Sequence, residues 1–306
     1  MESFDLGGST YTRQGQAQVI FRRNDNNNFT GTVRRLWFDS VLPDNQIVNN
    51  APNIDVRSSF EGSEEDILSG PIINRGSDAT FDNDLATTER IDFIYGQSMK
   101  VTSTGDLGES GFAIFERGGN DSFKIAAITA LDSNGNPADY GNLIEVQDNQ
   151  WGDTGFDVNT YFMSQNVDAG DATLRPDDHF GSQDVTGVFV SFDDLGVAAD
   201  QTIYGYSIFD TNTTGSGTEL VDWTDRNHFP DATASSLDLT PSGLIFTSEN
   251  VTSFVVDTDG DGQDDSTDIC RGNGWHSCCP DFSLRIPRRR SCQRPLAATL
   301  ANPHSI

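Results

Sequence analysis

The sequence predicts an all-β protein, an antiparallel β-sandwich or jelly roll, on three observations. From residue 90 to residue 256 the chain carries eight or more β-branched or aromatic runs of strand length, bounded by turn residues, with no convincing helix between them. Aspartate far exceeds glutamate, and lysine occurs only at Lys100 and Lys124, a balance that favours turns and oxygen-rich sites over long helices. At 306 residues, 35% hydrophobic and 10% aromatic, the chain has enough apolar surface to bury one large β domain or two modest ones.

Residues 1–85 read as an N-terminal β-rich portion with long loops, either part of the same domain as the β-sandwich of residues 86–256 or a modest domain beside it. Short apolar pieces at 18–21 and 33–38 are broken by the polar run 24–28 and by Pro43 and Pro52, as strands separated by loops would be. Ser63, with Glu64, Glu65 and Asp66 behind it, has the composition of a helix start, because these side chains satisfy and complement the first free amides. Gly70 and Pro71 stop that helix within two turns.

The pattern then sharpens into runs at 91–95, 112–115, 123–131 and 143–146. Residues 118–121 form a short connection between the second and third. The Asn134-Gly135 step supplies hairpin turn chemistry before the fourth, and short links of this kind imply antiparallel neighbours. Further runs follow at 185–192, 202–209, 243–246 and 254–256. Strict alternation over 202–209 places Ile203, Gly205, Ser207 and Phe209 on one face and Tyr204, Tyr206 and Ile208 on the other. Neither face is polar, so an inner strand covered by loops is expected.

After the last run comes the one segment whose chemistry can be named, residues 257–268. A hard cation needs oxygen ligands at alternate positions of a tight loop, and Asp257, Asp259 and Asp261 stand at positions one, three and five. Gly262 takes position six, where the backbone must turn sharply; the Gln263 carbonyl then serves position seven, and Asp265 and Asp268 complete positions nine and twelve. Asp268 departs from the EF-hand pattern, which carries Glu there. Six aspartates in twelve residues repel one another by roughly 1 kcal/mol per close pair even in water, so the metal-free loop is held open and calcium (Ca2+) reverses that. The competing interpretation, an acidic solvated linker, explains the Asp and Gly content but not the register.

Over residues 257–270 the sequence resembles a thrombospondin type 3 or dockerin-like calcium-binding repeat, families whose loops bind calcium without two long flanking helices. Such repeats normally come in tandem, and here there is one. The wording of residues 115–121, 194–197 and 202–206 is similar to bacterial secreted or cell-surface β-rich proteins, which implies an extracellular or surface location.

The formal net charge of -28, from 47 acidic against 19 basic residues, repels nucleic acid and anionic lipid and makes cations the natural partners. No apolar run reaches the ~20 residues a membrane span requires, and the opening five residues lack the basic and apolar regions of a secretory signal. A signal peptide removed on export, one lost from the gene model, and a leaderless route all remain open.

Beyond Cys270 the composition changes. Residues 271–306 carry six arginines and a single acid, Asp281, and all four cysteines (Cys270, Cys278, Cys279 and Cys292) fall at this end. A disulfide-stapled end is one interpretation. A zinc site at His276, Cys278 and Cys279 is another, although His-x-Cys-Cys fits no common structural-zinc framework. The preferred expectation is a reading-frame slip near Cys270, which leaves 271–306 a disordered tail without function.

No catalytic motif stands out. The carboxyl pairs Glu109/Glu116, Asp153/Asp157 and Asp177/Asp178 beside His179 have the residue types of glycoside hydrolysis, but with 47 acids such pairs arise by coincidence. His228 is expected to be a loop residue bonded to backbone. Trp151 and Trp223 have the character of sugar-stacking aromatics or, preferably, of turn packing. The expected function is therefore a calcium-binding extracellular protein with an adhesive or structural role, whose partners are surface glycans or matrix proteins. The alternative is a carbohydrate-binding module or glycoside hydrolase on the same sandwich.

Overall fold

The structure, a computed structural model, describes residues 1–23, 32–38, 63–73, 75–81, 88–166, 175–230, 236–258 and 265; of 32–34, 164–166 and 175–179 it describes the backbone alone. The strands are β1 (Ser3–Leu6), β2 (Ser9–Gln16), β3 (Gln18–Arg23), β4 (Thr32–Phe38), β5 (Arg75–Ser77), β6 (Thr88–Val101), β7 (Ser110–Arg117), β8 (Phe123–Leu131), β9 (Pro137–Tyr140), β10 (Ile144–Val146), β11 (Gly152–Asn166), β12 (Arg175–Ser191), β13 (Ile203–Phe209), β14 (Leu244–Ser248) and β15 (Phe254–Asp257). Among the described residues the one α-helix, α1 (Glu64–Ser69), opens on a capping box in which Asp66 N donates to Ser63 Oγ and Ser63 N donates to the Asp66 carboxylate. No helix among the described residues is long and apolar enough to cross a membrane.

The fold is all-β: two antiparallel curled sheets. The first has the order β1-β2-β14-β7-β12-β11-β4-β5; the second runs β10-β8-β13-β6-β15, with β3 also on β6 and β9 also on β8. Strands from residues 1–38 thus lie in the same sheets as strands from residues 86–256. The main core fills the space between the sheets, where Tyr206 of β13 stacks on Phe93 of β6 at 4.6 Å and meets Phe112 of β7 at 4.4 Å.

Three details differ from the pattern read in the sequence. The 118–121 link does not join hairpin partners: β7 belongs to the first sheet and β8 to the second, because both edges of β7 are already taken by β12 and β14. The Asn134-Gly135 turn instead closes a hairpin between β8 and β9. In β13 a register irregularity between Ile203 and Gly205 breaks strict alternation, so Ile203 joins Tyr206 and Ile208 in the main core while Phe209 points outward. Gly205 sits there at φ +144, with its α-carbon facing the Phe93 carbonyl so closely that a β-carbon would overlap it. The outer face of β13 is covered, as alternation without a polar side requires, by the strand-free segment 210–230, which packs Leu220 and Phe229 onto Phe209 and Ile128.

That segment is pinned by a buried charge cluster. Asp92 of β6, fully buried, receives Arg90 through two nitrogens at 2.6 and 3.2 Å, Arg22 Nε at 2.7 Å and Ser207 Oγ at 2.7 Å. Arg90 Nη1 also donates to the carbonyls of Leu220 and Val221. Desolvating a carboxylate costs several kcal/mol, and this one is offset by two guanidiniums and two hydroxyls, the second being Tyr140 at 3.3 Å.

The first sheet curls until it meets itself. Leu239 bridges both Ser77 of β5 and Glu116 of β7, so the strap 237–240 returns the edge strand β5 to the middle of the sheet and closes β7, β12, β11, β4 and β5 into a ring. Arg117 of β7 reaches past β12 to Thr160 of β11 at 2.6 Å, a span available on the concave side of such a curl. Leu36, Phe38, Val158, Phe162 and Val185 form a separate buried cluster there.

Candidate metal site and buried carboxyl groups

Strand β15 delivers the aspartate loop. Its register on β6 runs from Phe254 opposite Val101 to Asp257 opposite Ser98, and Ser98 Oγ lies 3.5 Å from the Asp257 carbonyl. The strand is fixed upstream by the Asp106 carboxylate, which accepts the amides of Thr252 and Ser253 at 3.0 Å each. Hydrogen bonds from Ser253 and Thr252 accordingly hold the Asp106 carboxyl below the usual aspartate range.

Of the six candidate ligands, the structure describes Asp257 and Asp265 and brings their chain segments together. Asp265 N donates to the Val256 carbonyl at 2.9 Å, and the Asp265 carboxylate accepts from Thr258 N at 2.9 Å and Thr258 Oγ1 at 2.5 Å. Positions one and nine of the loop are thereby drawn to the end of β15, with the position-nine carboxylate turned onto residue 258. Asp259, Asp261, Gln263 and Asp268, together with Gly262, lie outside the described residues, as does the whole of 271–306 with its arginines and cysteines. Among the described residues no group of three or more His, Cys, Asp or Glu side chains is arranged to hold a metal ion.

Of the carboxyl pairs named from sequence, Glu109 and Glu116 separate, whereas Asp153 and Asp157 both lie within electrostatic reach of Asp184. Glu109 accepts from Ser248 Oγ, whereas Glu116 is fully buried and accepts from Gly119 N and Thr186 Oγ1. Asp153 caps its own turn by accepting Gly155 N at 2.7 Å, and Asp157 pairs across the ladder with Asp184, whose carboxyl is raised by that hydrogen bond. For Asp177, Asp178 and His179 only backbone is described, with His179 opposite Tyr161. His228 is held by backbone, its amide on the Asp225 carbonyl at 3.0 Å and its own carbonyl on Thr214 N at 2.9 Å. Both loop tryptophans make packing contacts and are partly exposed: Trp151 Nε1 donates to the Asp121 carbonyl at 2.7 Å with its ring on Phe123, and Trp223 lies against the guanidiniums of Arg22 and Arg90 at 5.0 and 5.2 Å.

Glu116, named from sequence only as a partner for Glu109, and Asp238, which was not named, both hold a proton more tightly than an ordinary carboxyl group. Burial pushes the Glu116 carboxyl from 4.5 up to about 7, against the opposing hydrogen bond from Gly119; nearby Asp121 adds to the rise. Asp238, on the strap, is raised well above the aspartate range by burial and by Asp78 beside it. The available signal was an acid at the end of an apolar run, as in 112–116 and 237–239, where a solvated side chain has no room.

An all-β sandwich of two curled sheets is the class that the fold defines. No family model, no curated protein and no solved structure matches the chain.

Proposed function

We propose that this protein is a calcium-binding extracellular or cell-surface module with an adhesive or structural role, in which calcium held by Asp257, Asp259, Asp261, Gln263, Asp265 and Asp268 stiffens the end of the sandwich. One observation carries most of the weight. The last strand among the described residues, β15, has four residues and ends at the first candidate ligand, Asp257, and the ninth position of the aspartate-rich segment is tied back to that strand through Asp265 N on the Val256 carbonyl. Metal binding at such a loop is coupled mechanically to the seating of β15 on β6, so an occupied loop gives the chain a fixed exit from the sandwich. Self-repulsion among six aspartates opposes that seating without the ion and favours it with the ion.

Calorimetry tests the site. The full chain takes up calcium with a dissociation constant on the order of 10⁻⁴ to 10⁻³ M, the range of extracellular modules without a flanking helix pair. Asp259→Ala combined with Asp261→Ala abolishes the heat; an unchanged heat places calcium elsewhere and overturns the proposal. A glycan array run with and without calcium then separates an adhesive role from a purely structural one.

A further inference from the structure

Strand β8 returns into β9 through residues 132–136, a turn in which one carboxylate holds the main chain. Asp132 Oδ1 accepts Asn134 N at 2.8 Å and Asn136 N at 2.9 Å, and Asn136 Nδ2 lies 3.4 Å from both Asp132 oxygens. The main chain closes on itself in two further bonds, Asp132 N to the Asn136 carbonyl at 2.8 Å and Gly135 N to the Asp132 carbonyl at 3.0 Å. Asn134 and Gly135 are exposed, and Gly135 sits at φ +81 with open space where a β-carbon would stand. The backbone amides of Asn136 and Asn134, with smaller contributions from the side chains of both, hold the Asp132 carboxyl below the usual aspartate range, so it stays ionised at neutral pH. An asparagine followed by glycine is a chemically labile pair, because glycine places no side chain in the way of its own nitrogen.

We propose that Asn134 is a spontaneous modification site and that the Asp132 carboxylate sets its rate. In the reaction Gly135 N attacks Cγ of Asn134: the N–Cγ bond forms, the Gly135 amide proton passes to solvent base, and the Cγ–Nδ2 bond breaks, its nitrogen leaving as ammonia with a proton from water. Water then opens the resulting succinimide to aspartate or, through the other carbonyl, to isoaspartate, so that overall one water is consumed and one ammonia released. In the folded chain the attacking nitrogen is restrained. Its proton is held by the Asp132 carbonyl, and the amides on either side of it, those of Asn134 and Asn136, are fixed to the Asp132 carboxylate. Attack therefore waits for the turn to open locally while the strands stay paired. The product reaches beyond the turn. Isoaspartate adds a carbon to the main chain between two hydrogen-bonded ends, and Asn136 at one end accepts Arg22 Nη2 at 2.8 Å, while Arg22 Nε donates to the buried Asp92. Modification at the surface is thereby coupled to the charge cluster that pins residues 210–230.

The full chain is incubated near neutral to mildly alkaline pH, folded and in guanidinium chloride, and conversion of amide to acid at Asn134 is followed by peptide mapping with mass detection. The map keeps this site apart from the other Asn-Gly step, Asn273-Gly274, which lies outside the described residues. Conversion at Asn134 should be about tenfold or more slower in the folded chain than in the unfolded one, as expected where charge-assisted hydrogen bonds must break first. Asp132→Ala should raise the folded rate several-fold toward the unfolded one, with amide exchange of the β8–β13 ladder unchanged. No conversion in the unfolded chain overturns the proposal, as does a folded wild-type rate within about twofold of the unfolded rate, or an Asp132→Ala rate no faster than wild type. Should Asp132→Ala not fold, hydrogen exchange at the Gly135 amide of the wild-type chain decides: protection supports the restraint, and exchange at the unfolded rate overturns it.

Discussion

Replacing Glu116 with Gln should stabilise the protein at neutral and alkaline pH while leaving it unchanged in acid. Glu116 is fully buried at the end of β7, its carboxylate within reach of Gly119 N and Thr186 Oγ1, and burial lifts its proton affinity from 4.5 to about 7. The folded chain therefore holds a proton that the unfolded chain releases between those two values. Stability associated with this group is complete below about 4.5 and lost as pH rises through about 7. At about 1.4 kcal/mol for each tenfold change in proton affinity, the full loss is roughly 3 kcal/mol. Glutamine keeps an acceptor for Gly119 and Thr186 and carries no charge to desolvate. Urea unfolding in a chelating buffer, at half-unit steps from about pH 4 to 8.5, measures the difference between variant and wild type. That difference should be near zero at the acid end and grow to roughly 3 kcal/mol above pH 7. Asp210 and Asp238, which are raised in the same direction, contribute equally to both proteins and cancel, whereas Asp121 is hydrogen-bonded to Glu116 and belongs to the difference being measured. Parallel curves, or a variant less stable throughout, would refute the reasoning and show Glu116 to be ionised in a site that welcomes its charge.

Two further substitutions probe other parts of the sandwich. Asp92→Ala leaves the Arg90 and Arg22 guanidiniums without their shared carboxylate, at an expected cost of about 3–5 kcal/mol in urea unfolding, with a fluorescence change at Trp223 on the covering segment; a loss under about 1 kcal/mol would mean the arginines find water instead. Gly205→Ala drives a methyl group into the Phe93 carbonyl at φ +144 and should cost about 2 kcal/mol or more, read as a lower thermal midpoint; an unchanged midpoint would show that the β13 irregularity can relax.

Strands with dense β-branched and aromatic runs were legible because both of their faces meet apolar neighbours. Residues 123–131 coincide with β8, and the core strands β6, β7 and β13 lie where their runs do. The start and stop of α1 were legible because Ser63, Asp66 and Gly70 act within one helical turn. What escaped the sequence was pairing held mainly by main chain. β2, whose Ser9–Gln16 composition is mostly polar on both faces, and the long antiparallel pair β11–β12, whose three register irregularities reset the faces, show no apolar alternation in sequence. Of the candidate site, the Asp register was visible residue by residue, whereas the tie from Asp265 back to Val256 and Thr258 depends on a fold of the chain that no spacing rule encodes. The buried pair Asp78 and Asp238 lies far apart along the chain and could be recognised only once the strap had brought the two together.

The closure of the ring by residues 237–240 also sets an order of events in folding. Strands β7, β12, β11, β4 and β5 all precede the strap in the chain, and among the described residues it is Leu239 that pairs with the outer edge of β5 and with the end of β7. A contact between residues 77 and 239 is a very non-local one, and proteins dominated by such contacts fold slowly, because the loop entropy is spent before the contact repays it. During synthesis a chain cut short before residue 237 would lack the partner that the described edges of β5 and β7 find in the strap, and exposed edges of that kind recruit other strands. Capping therefore falls to almost the last part of the sandwich to be made, and intermediates lacking it are the species most prone to aggregate.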